Sequence, residues 1–165
     1  MTKGPETDRL LCPSSQPNHP DARVFGVQTG HSPETFRVGY LTEAHPVTRD
    51  LLAQAGEALP TEVLRIAAPC IRCSHHDGIG CRLATRVATM LPPVVGAMPR
   101  CAIRPDCLWF RQEGKAACVR CPQVVTIARG ATAFDEAVAG LSSQRAEDLP
   151  TVTTPAGSRP GTPAR

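Results

Sequence analysis

The sequence predicts a small α+β domain over residues 21–147, with a hairpin at its start and a metal-organised helical centre. Three observations predict it. Apolar and polar residues alternate at 23–28 and 36–41, helical spacing with capping residues recurs beyond residue 48, and seven of the eight cysteines fall between Cys70 and Cys121. A chain of 165 residues suits one such domain. Aromatic residues make up only 4%, so the rings that usually dominate core burial are scarce, and 17 prolines and 13 glycines shorten the regular elements. A domain built this way gains from a staple, and metal coordination is one form of staple.

The elements follow in order. Residues 1–20 and 148–165 are polar, proline-rich and aperiodic, and are expected to be disordered tails. The two alternating stretches read as strands joined by the polar connection TGHSPET, a hairpin with a long loop. Thr48 can cap a helix whose Leu51, Leu52, Ala55 and Leu59 share one face, ending near Pro60. Residues 62–67 then read as a third strand leading to the first cysteine pair. After Cys81, the spacing of Leu83, Val87, Met90 and Leu91 predicts a helix stopped by Pro92-Pro93. Pro105 suits the first turn of a short helix through Trp109 and Phe110, closed by a left-handed cap at Gly114. A second short helix is expected over 115–120. Thr132 and Asp135 resemble a capping box for a last helix whose Phe134, Val138 and Leu141 share a face.

The cysteine spacing is Cys70-x2-Cys73-x7-Cys81-x19-Cys101-x5-Cys107-x10-Cys118-x2-Cys121, with Cys12 apart in the N-terminal tail and read as a bystander. Two residues between cysteines let a tight turn aim both sulfurs at one metal or cluster. Cys101, Cys107, Cys118 and Cys121 supply the four thiols of a 4Fe–4S cluster or a four-cysteine zinc. Pro122 after the last cysteine resembles the Cys-Pro ending of bacterial ferredoxins, and short helices would aim backbone N–H groups at an anionic centre, so an iron–sulfur cluster is preferred over zinc. Cys70, Cys73 and Cys81 are three thiols with His75 and His76 between them. They compose a Cys3His zinc site if a histidine joins, and Asp77-Gly78 supplies the turn that folds Cys81 back; otherwise the histidines are solvated loop residues. A second partition joins Cys70 and Cys73 with Cys118 and Cys121, leaving Cys81, Cys101 and Cys107 as a three-thiol site with one open position.

Residues 100–129 hold Arg100, Arg104, Arg111, Lys115, Arg120 and Arg129 against Asp106 and Glu113, and so carry most of the net charge of +3. Such a face can stabilise an anionic cluster, dock an acidic redox partner, or contact nucleic acid with Trp109 and Phe110 as stacking groups. The commoner role of these two rings is core packing. No signal-type apolar run opens the sequence and no stretch of about 18 apolar residues could span a bilayer, so a cytoplasmic protein without a membrane segment is expected. In that reducing compartment clustered cysteines are metal ligands more often than disulfides. No phosphate loop, His-Glu-x-x-His or nucleophile elbow occurs, leaving no recognisable catalytic constellation.

The stretches PCIRCSHHDGIGCRLA and CAIRPDCLWFRQEGKAACVRCPQVVT resemble small cysteine-rich bacterial proteins, seen in actinobacteria and cyanobacteria, of the metal- or iron–sulfur-binding kind. The resemblance covers about a third of the chain and brings no established activity. The Cys-x2-Cys-x5-Cys run and Gly-Val-Trp-Gly-Gly turn of actinobacterial WhiB-type regulators are both missing. The functional expectation is an iron–sulfur protein in electron transfer or redox sensing. The alternatives are a zinc-stabilised module that binds nucleic acid or a protein through Arg104, Arg111 and Arg120, and an accessory factor of a larger enzyme.

Overall fold

The computed structural model describes residues 10–30, 37–127 and 130–140. Four antiparallel strands, β1 (Leu11–Cys12), β2 (Arg23–Thr29), β3 (Arg37–Pro46) and β4 (Leu64–Pro69), form one sheet in the order β1-β4-β2-β3. The expected hairpin is β2–β3, with Thr29 opposite Arg37 and β3 running on to Pro46. Its loop at 31–36 lies outside the described residues. With six helices among the described residues, set around the sheet, the chain is an α+β domain.

β4 is buried on both faces, which is why its sequence, LRIAAP, shows no clean alternation. Leu64, Ile66 and Ala68 pack with Ala22, Val24, Leu51 and Leu52, whereas Ala67 belongs to a second core with Phe25, Val87, Ile103 and Trp109. A bulge in β2 serves both cores. Val24 lies opposite Ile66 but Gly26 lies opposite Arg65, so Phe25 is an extra residue and the strand's parity reverses there. Val24 and Val27 consequently pack on one side, while Phe25 enters the second core beside Tyr40, ring centroids 6.3 Å apart. Gly26 is required where the strands approach, because a Cβ there would sit 2.9 Å from Val38 Cγ1.

The helices depart from expectation mainly at their ends. Thr48 does cap α1 (Arg49–Ala53), accepting from the Leu51 N–H at 3.2 Å. Pro60, however, opens α2 (Pro60–Val63) instead of ending α1, since proline has no N–H to lose in a first turn. The Glu62 carboxylate accepts from the Leu59 N–H at 3.1 Å, and α2 runs directly into β4. α3 (Arg82–Met90) buries Ala84, Val87 and Ala88, whereas Met90 of the expected stripe is 39% exposed. Pro105 sits in a 3-10 turn, Arg104–Asp106, which Cys107 separates from α4 (Leu108–Glu113).

Gly114, at φ 63° and ψ −141°, is not the left-handed cap expected but a kink that only glycine adopts readily, and it joins α4 to α5 (Lys115–Cys118). α6 (Ala133–Ala139) has the expected Thr132–Asp135 capping box, but only Val138 of its predicted face is buried. Phe134 is exposed, and Leu141 lies outside the described residues. Arg86 of α3 fixes the helix by donating through Nε to the Val138 carbonyl at 2.6 Å and through Nη2 to that of Ala139 at 3.2 Å.

The largest difference lies at the start of the domain, expected at residue 21. Residues 10–20 belong to it: Leu10 is 6% exposed, Leu10 O accepts from Cys70 N–H at 2.8 Å, and Ser15 N–H donates to Ile66 O at 3.1 Å. Residues 1–9 and 141–165 lie outside the described residues. Among the described residues no helix is long and apolar enough to cross a membrane.

Candidate functional site

Cys101, Cys107, Cys118 and Cys121 come from four consecutive short elements and surround one space. Cys101 precedes the 3-10 turn Arg104–Asp106, Cys107 caps α4, Cys118 ends α5, and Cys121 opens a further 3-10 turn, Cys121–Gln123. All four line a recess walled by Pro13, Phe25, Tyr40, Trp109 and Phe110. Only about 20 Å³ of it admits the centre of a water molecule, room for about one water.

The local chain paths follow from the need to satisfy these sulfurs. The nearby backbone N–H groups of Ile103 and Arg104 favour thiolate at Cys101, and those of Phe110 and Trp109 do so at Cys107. Burial nevertheless dominates: it pushes the Cys107 thiol up to about 11 and raises Cys101 and Cys121, whose neighbouring cysteines raise them further. The mutual influence of Cys107, Cys101 and Cys118 on Cys121 shows the four to be one electrostatic group. Arg65, 4% exposed, stands behind it, donating to the Pro122 carbonyl at 3.0 Å and Gln28 Oε1 at 3.3 Å, and its charge favours thiolate at Cys121.

Two further donors bear on whether an anionic group fits here. Trp109 Nε1 and Arg104 Nε are buried without a hydrogen-bond partner, and both residues line the recess. Such donors are rare in folded proteins unless a bound group or water satisfies them. Four thiols on one recess, with two unsatisfied N–H groups on its lining residues and a guanidinium behind it, suit a multidentate anionic centre.

The other cysteines form a second group, and its membership differs from expectation. Cys70, Cys73 and Cys81 line a larger recess together with Cys12, Ser14, Ser15 and His75. Cys12 is thus no bystander: β1 holds it against β4, with Cys12 opposite Ala68. Burial pushes its thiol up to about 12 against hydrogen bonds from the Ser14 N–H and the Ser15 side chain, and Cys81 and Cys70 raise it further. Cys81 stands at the N-cap of α3, where burial raises its thiol and the nearby N–H groups of Ala84 and Leu83 oppose that rise.

The Asp77-Gly78 turn forms as expected, with Asp77 Oδ1 accepting from the Ile79 and Gly80 N–H groups at 2.9 and 2.8 Å, and it returns Cys81 beside His76. Gln112 clamps the same residue from α4, accepting from the Cys81 N–H at 2.8 Å and donating to its carbonyl at 2.9 Å. His75 remains at the recess, its Nδ1 3.2 Å from Arg86 Nη2, and burial followed by Arg86 and Arg82 lowers its pKa. His76 turns away: its Nδ1 accepts from the Gly78 N–H at 2.9 Å, and it lines a different recess with Arg111 and Gln112.

Cys101, Cys107, Cys118 and Cys121 thus line one recess and Cys12, Cys70, Cys73 and Cys81 another. Among the described residues no three His, Cys, Asp or Glu side chains come together as ligands of one metal ion, so the expected metal-organised centre is not seen as such.

The basic surface also changes. Arg120 donates to the Leu91 and Ala116 carbonyls at 2.6 and 2.9 Å, and Arg104 donates to the Pro99 carbonyl and lies 5.8 Å from the Phe110 ring centroid. Trp109 is 1% exposed, a core residue and not a stacking platform. Arg129 lies outside the described residues.

Cys12 escapes a sequence reading because nothing local marks it. The signals available are the apolar Leu10-Leu11 before it and a total of eight cysteines, twice four. Compared with family models, curated proteins and solved structures, the chain matches none.

Proposed function

We propose that this chain is an iron–sulfur protein acting in electron transfer or redox sensing, with Cys101, Cys107, Cys118 and Cys121 holding the cluster. The observation that carries the reading is one recess lined by four thiols, with two residues of its lining, Trp109 and Arg104, each holding an unsatisfied buried donor. Zinc at about 2.3 Å from each of four sulfurs would draw them to within about 4 Å of one another. No convergence of either kind, on one zinc or on a cluster, occurs among the described residues, and what favours a cluster over zinc is the Cys-Pro ending at Cys121-Pro122. When bound, the cluster supplies one-electron redox chemistry.

The chain's own contributions are distinct. N–H groups near Cys101 and Cys107, with Arg65 beside Cys121, stabilise negative charge and so favour the reduced state. Phe25, Tyr40 and Trp109 exclude water. Of the three arginines on which the basic-surface alternative relies, Arg104, Arg111 and Arg120, two donate to backbone carbonyls, Arg104 to Pro99 and Arg120 to Leu91.

The test is anaerobic purification and visible spectroscopy of the chain and of Cys107→Ser and Cys118→Ser. Visible absorption that bleaches reversibly on reduction, and is diminished in both variants, is expected. A colourless protein, or absorption indifferent to both substitutions, would end the proposal.

A further inference from the structure

We infer that Cys12, Cys70, Cys73 and Cys81 hold a second iron–sulfur cluster, and that β1 places it beside the first. This rests on the cluster reading proposed for Cys101–Cys121 and extends it to a site with a different ligand set from the Cys3His group of the sequence. The four thiols arrive from three separate parts of the chain, an edge strand, the loop after β4 and the N-terminus of α3, yet line one recess. Convergence from such distances costs chain entropy, which a shared ligand would offset. Cys73 is exposed, unlike a cysteine serving as a small core hydrophobe.

The two groups share a wall. Leu11 is bridged in parallel to Cys107 of the first group, its neighbour Cys12 belongs to the second, and the next residue, Pro13, lines the first recess. Cys81 and Cys107 also belong to one buried core cluster. One strand thus supplies a ligand to one centre and part of the enclosure of the other, an arrangement that sets two one-electron centres in adjacent packing.

The experiment is iron and sulfide analysis of the anaerobically purified chain and of Cys12→Ser, Cys73→Ser and Cys118→Ser. Electron paramagnetic resonance after reduction with dithionite, one electron per cluster, completes it. The chain is expected to carry about eight iron and eight sulfide and each variant about four, as for two four-iron clusters. The reduced chain should give a spin-coupled spectrum, and the variants an uncoupled one. Because Cys73 is exposed, its variant keeps the test alive if Cys12→Ser does not fold.

About four iron in the chain, unaffected by Cys12→Ser and Cys73→Ser but lost in Cys118→Ser, would overturn the second site and leave the first. Iron lost in Cys73→Ser but retained in a folded Cys12→Ser would overturn the ligand assignment, and zinc in place of iron at these residues would overturn the cluster. Absence of iron altogether would sink the underlying reading as well.

Discussion

Gln112 and Gly80 form a contact whose energetics can be worked out and measured. Gln112 satisfies both the N–H and the carbonyl of Cys81, at 2.8 and 2.9 Å, and so ties α4 of one thiol group to a ligand position of the other. Hydrogen bonds of this kind contribute about 0.5–1.5 kcal/mol each, and Gln112 is itself exposed, so Gln112→Ala should cost about 1–2 kcal/mol. That corresponds to about 3–6 °C in Tm for a chain of this size.

Gly80 permits the contact, because a Cβ there would lie 2.7 Å from Gln112 Oε1. Gly80→Ala should therefore displace the amide and cost a similar amount. In a chain that already carries Gln112→Ala the obstruction is gone, and adding Gly80→Ala should be neutral or stabilise by about 0.4–1 kcal/mol through a narrower unfolded ensemble. Urea denaturation of the chain, both single variants and the double variant gives the coupling directly, expected at about 1–3 kcal/mol. Additivity to within about 0.5 kcal/mol would refute the clamp.

Three other outcomes follow from the same structure. Phe25→Ala removes a ring that is 1% exposed and should cost about 3–5 kcal/mol by thermal or urea denaturation while opening the first recess to water, seen as faster bleaching of visible absorption in air. Arg86→Met removes the donors to Val138 and Ala139 and should cost about 1–2 kcal/mol, with hydrogen exchange accelerated at 133–139 and unchanged in β2; uniform acceleration would contradict a local role. His76→Ala should leave metal content unchanged, because its ring serves the Gly78 turn, and a loss of metal would restore the Cys3His ligand set.

What is legible in the sequence is local. The β2–β3 hairpin, the Thr48 and Thr132 caps and the Asp77 turn each depend on residues within a few positions, and each forms. The bulge at Phe25 is not legible, because its cause is a partner strand some forty residues away that is buried on both faces. Cys12 is hidden for the same reason: the segment around it looks like a polar tail, and only pairing with β4 and the Leu10–Cys70 hydrogen bond bring it in. Pro60 reads as a stop because proline ends helices as readily as it starts them, and Glu62 decides between the two. Within the site, spacing identifies which thiols could act together at 101–121, but histidines adjacent in sequence turn in opposite directions, a matter of the loop's hydrogen bonds and not of composition.

The central claim is that the thiols of Cys101, Cys107, Cys118 and Cys121 enclose an iron–sulfur cluster. Its most direct test is the ratio of iron, acid-labile sulfide and zinc in the anaerobically purified chain. Iron and sulfide in equal amounts with negligible zinc is the expected result. Zinc with no sulfide would contradict it.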